Sequence, residues 1–125
     1  MAIAVDEIRE DLIGSHDRVW RHLTAPGAWL SGAERVDVLR ELRCVDACDL
    51  CRARKDALSA AAVAGEHAAA APMPTVRREL IHKLVSDPGR ITRTWVESLF
   101  SNGMDDAEYV EVAGLVSAVL VVDTF

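Results

Sequence analysis

The segment YVEVAGLVSAVLVVDTF near the end of the chain would be apolar on nearly every side of a helix, and such a helix must be covered by a core or by a subunit interface. Its start is sharp. Asp105 and Glu108 read as a capping box, and Met104 is placed to staple onto Tyr109. The apolar run is too short, and too interrupted by Glu111 and Asp123, to span a membrane. Elsewhere helical signals dominate, and no stretch shows the alternating β-branched and aromatic pattern of a hairpin. The expected fold class is therefore all-α, a helical bundle of about six helices. Because the sequence ends at Phe125 in an apolar helix with no cap or polar tail, it reads as the front part of a longer protein.

The other helices follow from spacing and caps. Two short ones are expected at Val5 to Ile13 and Ser15 to Leu23, with Gly14 between them and Pro26 and Gly27 closing the second. Ser31 and Glu34 form a capping box for a third helix, with Val38, Leu39 and Leu42 on one side. That helix either continues through the cysteines or gives way to a new one capped by Asp46 and reaching Leu58. SAAAVAGEHAAAAPMP then reads as helix tail plus linker. Thr75 opens a helix with an apolar stripe of Val76, Leu80, Ile81, Leu84 and Val85. Asp87 and Pro88 end it and start the next, which runs to about Ser101 with Ile91, Trp95 and Leu99 on one face and Gly103 as a left-handed cap. Residues 1–30 form an N-terminal helical segment, and residues 31–125 a domain carrying the cysteines.

Composition bounds the function. Half of the 125 residues are hydrophobic and 27% are charged, the balance of a folding chain. The net charge of -6 is dispersed, and basic residues are broken up by acidic ones in RELRCVDACDLCRARKD, so no continuous positive face is offered to nucleic acid. The start, MAIAVDEIREDL, lacks the basic and then apolar layout of an export signal. A cytoplasmic, reducing location with neither membrane nor nucleic-acid partners is the expectation. There, three cysteines within eight residues point to catalysis or metal binding rather than to a structural disulfide framework.

Cys44, Cys48 and Cys51 are spaced i, i+4 and i+7, so one continuous helix would align all three thiols. A helix restarting at Asp46 would instead place Cys48 and Cys51 in its first turn, where free N–H groups and the dipole favour a thiolate. Burial as small hydrophobes is the plain alternative. The spacing CxxxCxxC also occurs where three thiolates hold an iron–sulfur cluster in radical S-adenosylmethionine enzymes, but those place it after the first strand of a β/α barrel. Zinc would need a fourth ligand from His16, His22, His67 or His82, none at finger-like spacing. No cofactor or metal is therefore assigned from the sequence.

The CDLC motif at Cys48 to Cys51 and the segment GRITRTWVESLFSNGMDDAEYVEVAGLVSAVL give the chain a resemblance to the carboxymuconolactone decarboxylase and alkylhydroperoxidase D-like superfamily, over about Ser31 to Phe125. The resemblance implies an all-helical fold, assembly into homo-oligomers, and reduction of a hydroperoxide or disulfide at the expense of a thiol reductant partner. It also implies that Cys51 attacks, becomes a sulfenic acid, and is resolved by Cys48. Lys55 stands where the family's peroxidases carry a histidine. Val36 stands at the distance of the family's glutamate, which leaves Glu34 and Glu41 as candidate carboxylates. A non-catalytic oligomerisation or ligand-binding module is the alternative function. His67 and His82 read as solvated, Trp20, Trp29 and Trp95 as anchors in the core or an interface, and Arg90 and Arg93 as exposed.

Overall fold

The computed structural model describes residues 21–123, which contain helices and no strand. Residues 21–23 are helical; Trp20 and the rest of the two expected N-terminal helices lie outside the described residues. Five α-helices follow: α1 (Gly32–Cys44), α2 (Asp49–Asp56), α3 (Thr75–Ser86), α4 (Arg93–Ser101) and α5 (Asp106–Asp123). Single 3-10 turns occupy Val45–Ala47, Ala60–Ala62 and Pro88–Arg90.

The all-α expectation holds, and α5 is covered as its composition requires. It packs against both α1 and α3, burying Val112, Leu115, Val116 and Val119 among Val38, Leu39, Leu42, Leu80 and Ile81. Each such side chain removed from water contributes roughly 1.5–3 kcal/mol. Among the described residues no helix is long and apolar enough to cross a membrane.

Several boundaries differ from the sequence expectations. Ser31 and Glu34 do form the capping box of α1. Asp46, however, lies in the 3-10 turn, and the residue capping α2 is Cys48. Helix α2 ends at Asp56, leaving Leu58 fully exposed. The alanine-rich stretch is not a helix tail. Beyond the Ala60–Ala62 turn it runs without helix to Pro74, as the linker part of the expectation has it. Helix α4 begins at Arg93, capped by Thr92, rather than at Pro88. Gly103 has φ 104, the left-handed geometry expected after α4.

Trp95 and Tyr109 pack on the core, whereas Trp29 is about half exposed. Arg93 is exposed as expected. Arg90 is not idle: its guanidinium donates to the carbonyl oxygens of Ala57 at 2.8 Å and Arg54 at 2.5 Å, closing the end of α2.

Two carboxylates of α5 bind across the bundle. Asp105 caps through its side chain to the Ala107 N–H. Glu108, expected to complete that box, is buried and accepts from Arg77 at 2.7 Å. Glu111 accepts from the backbone N–H groups of Trp29 (2.9 Å) and Leu30 (2.7 Å) and pairs with Arg35 at 2.8 Å. Burial would raise its pKa, but Arg35 and those N–H groups outweigh burial and hold it below the ordinary glutamate value.

A carboxyl whose pKa is lowered on folding contributes stability above its unfolded pKa and loses it as the pH falls through the folded one. Glu111→Gln should therefore destabilise the fold by about 2 kcal/mol at neutral pH. In urea unfolding the gap between the two proteins should close in acid; a gap independent of pH would contradict this role.

Candidate thiol–histidine site

The break between α1 and α2 sets the position of the thiols. Because the chain makes a 3-10 turn at Val45–Ala47, the three cysteines do not share one helical stripe. Cys48 becomes the residue capping α2, and Cys51 falls three residues later on the same side of its first turn. Both are buried, in a small cluster with Val45 and Leu50. All three cysteines are free thiols. Cys44 turns elsewhere, its Sγ donating to Glu41 Oε2 at 3.4 Å and facing the Ala68 carbonyl at 3.7 Å.

Two histidines complete the site. Helix α3 supplies His82, fully buried, with Nδ1 3.2 Å from Cys51 Sγ and Nε2 2.6 Å from Glu41 Oε2. The connector supplies His67, with Nδ1 3.4 Å from Cys48 Sγ and 3.5 Å from Cys51 Sγ. Its Nε2 lies 3.1 Å from Glu79 Oε2, and Glu79 also pairs with Arg54 at 3.1 Å. Gly65 allows this delivery. It has φ 157, and a Cβ there would meet Leu50 Cδ1 at 3.2 Å, so the connector lies tight against α2.

These contacts correct the reading of both histidines as solvated. His82 is enclosed because α3 packs against α1 on one side and α2 on the other, which buries a position outside the apolar stripe. The His67 side chain is only 6% exposed, and its ring centroid is 4.1 Å from that of His82.

Charge in the site follows from its partners. Burial pushes Glu41 upward, but bonds from His82, the Ala70 N–H and Cys44 outweigh it and keep the carboxylate ionised. An ionised carboxylate only accepts, so Nε2 of His82 carries the hydrogen. Burial first, then the neighbouring His67, holds the His82 pKa down, leaving the ring neutral with its Nδ1 lone pair toward Cys51. For His67 burial is outweighed by Glu79 and Cys48, so its pKa is raised.

The thiols separate. Burial opposes ionisation of Cys48, yet the N–H groups of Cys51 and Ala68 and the His67 ring bring it down to about 7. Burial and the adjacent Cys48 charge push Cys51 up to about 12, and burial with Glu41 pushes Cys44 up to about 11. The first proton to leave the pair is thus that of Cys48. Cys51 has the access: it lines a cleft of about 600 Å³ together with Arg54, His67, Glu79, Lys83 and Trp95.

Of the residues singled out from the sequence, the structure brings Cys48 and Cys51 together and joins Glu41 to Cys51 through His82 and directly to Cys44. Lys55 is exposed, and its carbonyl oxygen accepts from Arg90. Glu34 serves the α1 cap and pairs with Arg77 at 3.2 Å. Sequence reasoning missed both histidines as site residues, as well as Glu79. The chain matches no family model, no curated protein and no solved structure.

Thiolate absorbance gives a direct check. Reduced protein should show a single thiolate forming near pH 7, with the others following only toward pH 11 and 12. A titration with no thiolate below the ordinary thiol value of 9.0 would contradict the assignment.

Proposed function

We propose that this chain is a thiol-dependent oxidoreductase in which the Cys48/Cys51 dithiol reduces a hydroperoxide or a disulfide. The observation that carries the reading is the line Cys51–His82–Glu41. A thiol on the wall of a cleft has an imidazole nitrogen at 3.2 Å, and that ring is held at 2.6 Å by a buried carboxylate. Nucleophile, base and orienting group stand in the order that thiol activation needs. The family resemblance supports the same class. The imidazole it implies is absent at Lys55, but His82 offers one from a different helix.

With a hydroperoxide, the resting thiolate is Cys48, and Cys51, the sulfur on the cleft wall, passes its proton to His82 Nδ1 only as it attacks the O–O bond. The alcohol leaves with the proton returned by His82, and Cys51 becomes a sulfenic acid. Cys48 then attacks that sulfur and forms the disulfide, and the departing hydroxyl takes the proton that His67 holds beside Cys48 and leaves as water. An external dithiol closes the cycle, reducing Cys48–Cys51 while being oxidised itself. With a disulfide substrate, Cys51 forms a mixed disulfide that Cys48 resolves. Three free thiols suit a reducing, cytoplasmic setting. The exposed Val110 and Val121 of α5 support association between copies.

One equivalent of cumene hydroperoxide or of oxidised glutathione should close a Cys48–Cys51 disulfide while Cys44 stays alkylatable, as read by mass spectrometry. Cys51→Ser should abolish peroxide consumption, and His82→Ala should slow it by about 100-fold or more. If all three thiols stay free with both oxidants, the reading fails and a non-catalytic helical module takes its place.

A further inference from the structure

The thiols and imidazoles that serve the proposed redox reading also meet the requirements of a metal centre. Sγ of Cys48, Sγ of Cys51 and one ring nitrogen each from His67 and His82 all lie within 4.8 Å of one another. The closest sulfur–nitrogen separations are 3.4, 3.5 and 3.2 Å. A tetrahedral Zn²⁺ with bonds of about 2.3 Å to sulfur and about 2.0 Å to nitrogen sets sulfur–nitrogen edges of about 3.5 Å. The four donors therefore already stand near the corners that the ion would impose.

The surroundings fit as well. Both histidines turn Nδ1 inward and direct Nε2 at a carboxylate, Glu41 for His82 and Glu79 for His67, the arrangement that orients a zinc-bound imidazole. The Ala68 N–H donates to Cys48 Sγ at 3.4 Å. Two thiolates would neutralise a divalent cation in a pocket where Cys48, Cys51 and His82 are all buried. Two sulfur and two nitrogen donors in tetrahedral array favour zinc over magnesium, calcium or manganese.

We infer that Cys48, Cys51, His67 and His82 form a Cys₂His₂ site for Zn²⁺. All four positions are filled by protein, so the ion is a closed structural or regulatory occupant, and it ties the connector to α2 and α3. Its effect on activity rests on the oxidoreductase reading: the metal-bound and disulfide states of Cys48 and Cys51 exclude each other, so zinc withholds the dithiol until it is released.

The test uses the full chain, reduced, stripped with a chelator and titrated with Co²⁺ alone and then with Zn²⁺. One cobalt per chain should bind with the visible bands of a tetrahedral ion and thiolate-to-metal charge transfer in the near ultraviolet, and zinc should bleach both. His67→Ala and Cys48→Ser should each weaken binding at least tenfold. Glu79→Gln, which alters no donor, should weaken it about 10- to 100-fold, with helical content followed by circular dichroism in each variant. A pink octahedral spectrum without charge transfer, or unchanged affinity in well-folded His67→Ala, would overturn the site. No oxidant is present, so this result is independent of disulfide formation. Metal binding with no Cys48–Cys51 disulfide formed by either oxidant in the metal-free protein sinks the redox reading alone, and a disulfide without metal binding sinks the zinc site alone.

Discussion

The contact between Glu41 and His82 organises the molecule. Both side chains have no exposure to solvent and meet at 2.6 Å. A carboxylate in that position is tolerable only if its oxygens are filled, and the chain fills them from three directions: His82 on α3, the Ala70 N–H on the connector, and Cys44 on its own helix. Arg78, 3.3 Å away, supplies the balancing charge. Taking away any one of these would leave a buried charge short of a partner, so α1, α3 and the connector hold one another in place.

The thiols inherit that order. Helix α2 is only eight residues long and would be marginal in isolation. It is held by packing against α3 and by Arg90 on its terminal carbonyls. Its start is fixed by the 3-10 turn that ends α1, so Cys48 and Cys51 face the two imidazoles instead of lying along the α1 stripe with Cys44. The connector looks like a spacer in composition, yet its role here is to lay His67 over both sulfurs. Glu79 and Arg54 then anchor the far side of that ring.

A site of this kind suits either electron-pair chemistry or a soft metal for the same physical reason: two thiols share a dry pocket with two imidazoles whose outer nitrogens are already committed to carboxylates. The cleft beside Cys51 gives the redox reading its access, and the closed four-donor geometry gives the metal reading its affinity. The proposed redox and metal-bound states exclude each other, since one pair of sulfurs cannot serve both.

What the sequence determined by itself is local. The Ser31–Glu34 box, the apolar stripe of α3, the left-handed Gly103 and the need to cover α5 each depend on residues within a single helix or its ends, where backbone periodicity carries the information. The start of a new helix at the cysteines was one of two placements the sequence left open, and the 3-10 turn at Val45–Ala47 decided between them, with Cys48 rather than Asp46 as the capping residue. Tertiary structure alone decided that Cys51 meets His67 and His82, and that His82 meets Glu41. Those contacts join residues 16, 31 and 41 positions apart. No spacing rule spans such distances, and a histidine outside the apolar stripe looks solvated until a third helix packs over it.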